Sequence, residues 1–432
     1  MNGYREHAHR MVDWVAEYLE KGDEVRVPKG IDLAVSPPTH AEPLEAIRQE
    51  FVTRVIPQVA RWSHPSWFDA TSDVETEIEV VVVDWLRQML ALPETFSGLL
   101  FDGAPTATFH ALAAARQLAD PTAREAGLVG RPRPLKIYAT EMTHATVAKA
   151  AAALGLGLAA VHTVPLDDET LGMNTEALRE AIHDDWRNGA TPACVVATAG
   201  SALCTSIDPL EAIADICESE GVWLHVDGEH GGTLGLLPEK RRLLKGWQRA
   251  DSIVITPQDW TWGPLDASVL LTRRGDILDA AFSLLPDYLR PIAARPAQEF
   301  ADLGLPLGRR LRAVKLWYAI RSLGVDGIAD RMREPIRIAA SFAARVDVSE
   351  RFERVTAVPL TTVCFRAPRP EDEDGFNERL VAAVNATGEV FLTSIRLRNR
   401  AAIRLTVTSV RTTERHVARA WEILNECYDM LE

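Results

Sequence analysis

Two kinds of hydrophobic pattern alternate through the central part of the chain. Between residues 77 and 273, nearly continuous apolar runs are separated by segments of helical periodicity such as LEAIADICESEG (210–221). Continuous apolar runs are typical of strands in a parallel sheet that is covered on both faces. The pattern therefore predicts a βαβ rhythm and a mostly parallel, doubly wound sheet. The predicted strands are LKIYAT (135–140), LAAVHTV (158–164), ACVVATAG (193–200), GVWLHVD (221–227), SIVITP (252–257) and ASVLLT (267–272).

The regions on either side of this sheet have different patterns. Residues 1–21 carry apolar residues at helical spacing, and a proline-rich connector separates them from a second predicted helix at 43–57. A long helix is predicted near 308–323, and the strands TVCFRAP and AIRLTVT and a closing helix at 412–431 lie beyond it. These features predict three units: an N-terminal helical arm (1–76), a large α/β domain (77–334) and a small C-terminal α/β domain (335–432).

Composition narrows the classes of function. The 47 basic and 61 acidic residues give a formal net charge of -14, which argues against nucleic acid as a partner. The five cysteines are scattered and form no CxxC pair, which is typical of free thiols in a reducing compartment. No stretch is long enough to span a bilayer and no apolar signal core is present, so we expect a cytoplasmic protein without a membrane partner.

Ligands of doubly wound sheets bind at the carboxyl ends of the strands. Asp227 directly follows the apolar run GVWLHV, so its carboxylate is a strong candidate for contact with a cofactor or substrate. His225, Asp227, Glu229 and His230 are metal-ligand types, but their spacing matches no zinc template and we expect no metal.

Several longer motifs carry a family resemblance. WLHVDGEHGG (223–232) resembles a strand end written HVDAAYAG, and LPLGRRLRAVKLWYAIRSLG (305–324) resembles a helix written IPLGRR-R-LK-W---R--G. VARWSHPSWF (59–68), TEIEVVVVDWLRQML (76–90) and YATEMTHATVAKA (138–150) match in the same order. The motifs are those of the group II amino-acid decarboxylases of the aromatic type, which use pyridoxal phosphate (PLP), and the resemblance covers roughly 90% of the chain.

This resemblance implies a fold and a cofactor site. The fold is α/β, of the PLP-dependent aminotransferase type (fold type I), with a central seven-stranded sheet and a homodimeric assembly. In that family a histidine stacks on the PLP ring and an aspartate pairs with its nitrogen, and His144 and Asp227 match them. The aspartate keeps the ring nitrogen protonated, which makes the ring an electron sink.

The chain departs from the family where the cofactor is bound covalently. The family's N-P-H-K-W becomes Thr256-Pro257-Gln258-Asp259-Trp260, so an aspartate stands in place of the lysine that forms the Schiff base. A carboxylate forms no imine, and no lysine occurs between Lys245 and Lys315.

Further departures lie at other parts of the expected cofactor site. The phosphate-binding turn G-S-A-S aligns with Asp102-Gly103-Ala104-Pro105, which has lost donors and gained a negative charge. Glu229 and His230 replace an alanine and a tyrosine beside the ring, and Phe300 aligns with the tyrosine of the family's mobile loop. We therefore expect that the chain needs no cofactor, although PLP bound without a covalent link stays an alternative.

The altered site predicts a pocket that carries negative charge. Asp227 and Glu229, two apart at a strand end, are expected on one side, with Asp259 facing them. Clustered carboxylates either hold a proton or bind a cation, and aromatic faces favour an amine or iminium. The predicted catalytic residues are Asp259, Glu229, Asp227 and His144, and the predicted substrate-binding residues are Trp67, His64, Trp260, Trp262, Asp102, Gln258, His230, Phe300 and Ser201.

Three functional hypotheses follow from this pocket. The first is a cofactor-independent enzyme of specialised biosynthesis that uses these carboxylates on a small cationic or imine-forming substrate. The second is a non-catalytic pseudoenzyme that binds a ligand or a protein partner. The third is a protein like the family's carboxy-lyases that binds PLP or its aldimine noncovalently.

Overall fold

The computed structural model describes most of the chain, namely residues 2–20, 31–58, 74–257, 266–284, 300–306, 309–369 and 371–432. The strands are β1 (Ser97–Phe101), β2 (Leu135–Ala139), β3 (Val161–Thr163), β4 (Thr191–Thr198), β5 (Trp223–Asp227), β6 (Ser252–Ile255), β7 (Ser268–Thr272), β8 (Glu353–Arg354), β9 (Thr362–Arg366), β10 (Thr393–Leu397) and β11 (Arg400–Thr406). The α-helices are α1 (Asn2–Glu20), α2 (Leu44–Glu50), α3 (Val74–Met89), α4 (Ala104–Ala119), α5 (Ala123–Ala126), α6 (Thr146–Ala153), α7 (Thr175–Arg187), α8 (Leu210–Glu220), α9 (Gly275–Phe282), α10 (Ala313–Asp347), α11 (Glu373–Ala386) and α12 (Glu414–Leu431).

The predicted α/β fold with a seven-stranded, mostly parallel sheet is confirmed. Its strand order is β1-β7-β6-β5-β4-β2-β3, and β7 runs antiparallel to both of its neighbours. Every residue of β5, β6 and β7 is buried, which explains why these strands are continuous apolar runs in the sequence. β1 was not among the predicted strands.

Two hydrophobic clusters cover the faces of this sheet. One is built around Trp85 of α3 and Trp317 of α10, and the other lies under the alanine-rich helix α4. Small alanine side chains let α4 pack closely on the strands. The buried faces fix the register of the sheet, and therefore the edge at which β4 and β5 end.

A second, four-stranded antiparallel sheet lies in the C-terminal part, with the order β10-β11-β9-β8. It packs against α11, α12 and the second half of α10 around Phe342 and Phe365. Helix α10 passes through residue 335, where the sequence places the start of the C-terminal domain, so the three-domain division stays a prediction.

Helix α10 is kinked at Gly324, which has φ 68° and ψ 162°. A Cβ at this position would lie 2.3 Å from the carbonyl carbon of His40, so only glycine fits the crossing of the N-terminal connector. The helix predicted near 308–323 begins at Ala313 and is the first half of a longer element. None of the described helices is both long and apolar enough to cross a membrane.

Candidate functional site

A cavity of about 360 Å³ opens at the carboxyl ends of β4 and β5, between the large sheet and the C-terminal sheet. This is the edge at which doubly wound sheets bind ligands, and the volume suits a small molecule. Its described wall consists of Met142, His144, Thr198, Gly200, Ala202, Asp227, Glu229, His230, Thr233, Met332, Pro335, Leu360, Thr361, Arg404, Thr406, Val407 and Thr408.

Asp227 is the last residue of β5 and is buried in this wall. Its Oδ1 accepts the backbone N–H of Glu229 at 3.1 Å, and no other hydrogen bond to this carboxylate is found among the described residues. Burial raises the pKa of Asp227, while the Glu229 N–H and the charge of His144 lower it. The carboxylate is therefore suited to a cationic partner from a ligand.

Glu229 and His230 follow in a turn, because β5 ends at Asp227 and the expected strand alternation does not continue. The turn packs tightly against the loop after β4, since a Cβ on Gly231 would lie 2.0 Å from the carbonyl oxygen of Ala199. Both side chains still line the cavity. Burial, and then the charge of Arg404, lower the pKa of His230, whose Nε2 has no hydrogen-bond partner among the described residues.

His144 lies on the same wall, in the loop before α6, and is largely exposed to the cavity. Its Nδ1 is 3.1 Å from the hydroxyl of Thr146, which orients the ring. On the same cavity wall, the hydroxyl of Thr198 at the end of β4 is buried and has no hydrogen-bond partner in the part of the chain that the structure describes. The wall thus offers a ligand an imidazole, a hydroxyl and the carboxylate of Asp227.

Arg404 of β11 completes the facing wall, and it was absent from the predicted site. One of its terminal nitrogens donates to the carbonyl of Ala202 at 2.9 Å, and its buried Nε has no hydrogen-bond partner within the described ranges. Among the described residues it makes no ion pair within hydrogen-bonding distance, and its guanidinium lies on the wall of the cavity. A basic residue inside the apolar run AIRLTVT was the available sequence signal.

Three predicted substrate-binding residues lie away from the described cavity wall. Asp102 is exposed at the end of β1, and Phe300 is buried under the guanidinium of Arg309, 5.3 Å from its ring centre. The hydroxyl of Ser201 lies within its own loop, 2.9 Å from the hydroxyl of Ser206. Its neighbours Gly200 and Ala202 line the cavity, and Ser201 does not.

The other predicted site residues lie outside the described part of the chain. They are His64, Trp67, Gln258, Asp259, Trp260 and Trp262. Their proposed roles stay predictions from the sequence.

Comparison with known proteins identifies the family to which the chain is similar. The family described as "Pyridoxal-dependent decarboxylase conserved domain" matches residues 67–368. A tryptophan decarboxylase of Camptotheca acuminata is 30% identical over 99% of this chain and 94% of its own length. Aromatic-L-amino-acid decarboxylase of Bos taurus is 32% identical over 98% of this chain and 95% of its own length. The crystal structure of Oryza sativa TDC with PLP and tryptamine superposes with a TM-score of 0.79 at 28% identity, covering 100% of this chain and 99% of that one.

These similarities contradict the expectation that the chain needs no cofactor. The matched family is described as pyridoxal-dependent, and the similar rice structure contains PLP. The expectation was drawn from the substituted residues, whereas the motif around Asp227 is kept in this chain. The cofactor that the family indicates is PLP.

The described residues fit the ring end of PLP better than its phosphate end. A buried carboxylate on the cavity wall, with one bond to backbone, matches the protonated nitrogen of a pyridine ring. At the start of α4, Thr106 and Ala107 both donate to the carbonyl of Gly103, and Pro105 has no N–H. A phosphate there would find few donors and the nearby carboxylate of Asp102.

Proposed function

Because the chain belongs to the pyridoxal-dependent decarboxylase family, we propose that it binds PLP without a covalent link and acts on an amino acid or amine as a lyase. The observation that carries this proposal is the buried Asp227 carboxylate on a cavity whose described wall contains no lysine. The carboxylate suits the cofactor's ring, and the missing amine leaves it without a covalent attachment.

The lysines of the described residues are placed elsewhere. Lys245 pairs with Glu211 at 2.9 Å, Lys315 pairs with Asp266 at 2.7 Å, and Lys136 donates to the carbonyl of Ala159. Lys149 and Lys240 do not line the cavity either. In the sequence, Asp259 occupies the position that corresponds to the family's Schiff-base lysine.

Each wall of the cavity has a role in this proposal. Bound PLP supplies an electron sink for the bond that breaks next to the substrate nitrogen. Asp227 would hold a proton on the ring nitrogen, and His144, which lines the same cavity, would contact the ring. Arg404, which forms no ion pair with the described residues, binds the carboxylate of an amino-acid substrate.

Borohydride reduction tests the missing covalent link. We expect PLP to bind the wild-type protein with a changed absorbance spectrum, to be lost on dialysis, and to leave no phosphopyridoxyl group on a lysine after reduction. Asp259→Lys is the matched variant, in which peptide mapping should find the reduced adduct at position 259. If reduction of the wild-type protein placed a phosphopyridoxyl group on one particular native lysine in every chain, the proposal would be refuted.

Two wall variants test the noncovalent contacts in the same titrations. Asp227→Asn should weaken PLP binding at least about tenfold, since a hydrogen bond to a charged group contributes roughly 1.5–3 kcal/mol. Arg404→Met should weaken binding of tryptophan about tenfold to a hundredfold and leave tryptamine, which has no carboxylate, unchanged. Arg404→Lys keeps the positive charge, so it should lose less affinity for tryptophan than Arg404→Met does.

The assembly and location belong to the same proposal. The exposed apolar residues Val12 and Val15 of α1 support a homodimer formed through the N-terminal arm, and light scattering in solution measures the mass that tests it. All five cysteines are buried and unpaired, which supports a reducing, cytoplasmic environment. The tryptophan decarboxylase similarity supports a role in specialised metabolism.

A further inference from the structure

A short loop that follows β4, the β4 loop (residues 199–207), carries the carbonyl group that Arg404 binds. The loop begins and ends in an antiparallel bridge between Ala199 and Ile207. Ala202 lines the cavity, and its carbonyl accepts a hydrogen bond from one terminal nitrogen of Arg404 at 2.9 Å. The β4 loop therefore connects the end of β4 to the guanidinium group of the C-terminal sheet.

Ser201 closes the β4 loop from the inside. It is 1% exposed, and its hydroxyl oxygen accepts the backbone N–H of Ser206 at 3.2 Å and that of Cys204 at 3.5 Å. The hydroxyl of Ser206 lies 2.9 Å from the same oxygen. The N–H of Ser201 donates to the carbonyl of Ser206 at 2.9 Å. One buried hydroxyl thus ties together the two sides of the turn that contains Ala202.

The backbone of the β4 loop is strained, so its shape depends on these bonds. Thr205 has φ 59°, in the left-handed region that a β-branched residue rarely adopts. Such a conformation persists only where the surrounding contacts impose it. The N–H of Thr205 donates to the carbonyl of Ser201 at 2.8 Å. Without the Ser201 hydroxyl, the N–H groups of Cys204 and Ser206 would have no partner among the described residues, and the loop would relax.

The C-terminal sheet contacts the β4 loop at two adjacent points. Arg404 of β11 pairs with Cys364 of β9 in the sheet register, and the thiol of Cys364 lies 3.7 Å from the carbonyl oxygen of Leu203. The other point is the bond from Arg404 to Ala202, and no other hydrogen bond orients this guanidinium among the described residues. Because a guanidinium is planar, a bond at one terminal nitrogen fixes the plane of its remaining N–H groups.

We propose that Ser201 is a positioning residue for Arg404. Its hydroxyl holds the β4 loop closed, the loop presents the carbonyl of Ala202, and this carbonyl orients the guanidinium for the carboxylate of an amino-acid substrate. The inference rests on the proposed function, in which Arg404 binds that carboxylate. Ser201 does not line the cavity, so it acts through Arg404 and not on the ligand.

Calorimetric titrations with tryptophan and tryptamine test this role, because the two ligands differ only in the carboxylate. The protein is first saturated with 4′-deoxypyridoxine phosphate, which has the PLP ring and phosphate but no aldehyde, so neither ligand is consumed. We expect the wild type to bind tryptophan more tightly than tryptamine. Ser201→Ala should weaken tryptophan binding about three- to tenfold, the range for the loss of one neutral hydrogen bond, and leave tryptamine binding unchanged.

A double-mutant cycle shows whether Ser201 acts through Arg404. In the Arg404→Met background, Ser201→Ala should cause no further loss of tryptophan affinity, because the group that it positions is gone. Ser252→Ala is the matched control. The hydroxyl of this buried serine lies 2.9 Å from both Trp223 Nε1 and His225 Nδ1, and Ser252 does not line the cavity. The control should lower the urea midpoint and keep the preference for tryptophan.

The outcomes separate this inference from the proposed function. If Ser201→Ala leaves tryptophan binding unchanged, weakens both ligands equally, or causes the same loss in the Arg404→Met background, the role of Ser201 is overturned and the contact of Arg404 stands. If the wild type shows no preference for tryptophan, the carboxylate contact of the proposed function fails, and this inference fails with it. Failure of 4′-deoxypyridoxine phosphate to bind overturns the proposed function as a whole.

A second variant decides if Ser201→Ala does not fold. Ser206→Ala removes only the hydroxyl that lies 2.9 Å from the Ser201 oxygen and leaves both backbone N–H groups in place. It should lower tryptophan affinity in the same direction by a smaller factor, about two- to threefold, without changing tryptamine affinity. Equal losses for the two ligands, or no loss for tryptophan, would count against Ser201.

Discussion

Replacing Glu79 by alanine is expected to lower the free energy of unfolding by about 3–5 kcal/mol, because it leaves a buried charge without its partner. Glu79 of α3 is 4% exposed, and its Oε1 accepts both the backbone N–H of Leu100 and the guanidinium of Arg309. Arg309 also donates to the carbonyl of Leu100 at 2.8 Å. The pair joins α3, β1 and the segment before α10.

Urea denaturation at pH 7.5, followed by tryptophan fluorescence, measures this loss. Glu79→Gln keeps an acceptor for Leu100 and should cost less than Glu79→Ala. Glu79→Met combined with Arg309→Met removes both charges and should recover much of the stability, since buried pairs gain little over apolar residues of similar volume. The exposed pair Glu334–Arg337 supplies the control, and Glu334→Ala should leave the midpoint unchanged. Equal midpoints for Glu79→Ala and Glu334→Ala would contradict the prediction.

The sheet could be predicted because its central strands are buried on both faces and therefore read as continuous apolar runs. β1 could not, since SGLLF is short and begins with two small residues. The chain order of strands also does not give their order in the sheet. Asp102 illustrates this. It follows β1, which is separated from β5 by β7 and β6, and neighbouring strands lie about 4.8 Å apart.

From the sequence, only the part of the site that lies at the end of β5 could be predicted. Asp227 was identified from its position after β5, and the turn that follows places Glu229 and His230 on the same cavity. Arg404 comes from a separate sheet more than 170 residues later, so no local pattern places it opposite Asp227.

Two buried histidines should make the fold sensitive to acid. His110 and His225 are both 0% exposed, and burial is the main cause that lowers the pKa of each to about 4. The Nδ1 of His110 is 2.7 Å from the carbonyl oxygen of Thr106, and its Nε2 accepts the N–H of Leu305 at 3.1 Å. A proton on Nε2 would therefore oppose the N–H of Leu305.

The sign of the effect follows from linkage. A histidine whose folded pKa lies below its unfolded value of about 6.5 contributes stability above pH 6.5, and this contribution is lost as the pH falls towards 4. At pH 5 each histidine should have lost about 2 kcal/mol of that contribution. Buried carboxyl groups with raised pKa values, such as Asp208, act in the opposite direction. The free energy of unfolding of the wild type should therefore fall less between pH 7.5 and pH 5 than the two histidines alone would cause.

Variants isolate each histidine, because all other groups are common to both proteins. His110→Gln and His225→Asn should each be less stable than the wild type at pH 7.5, since they lose ring packing. At pH 5 the deficit of each variant should shrink by about 2 kcal/mol, as only the wild type must take up the proton on unfolding. Urea midpoints for the three proteins at pH 5, 6 and 7.5 measure the change. A deficit that stays constant across this range would mean that the histidines do not remain neutral in the fold.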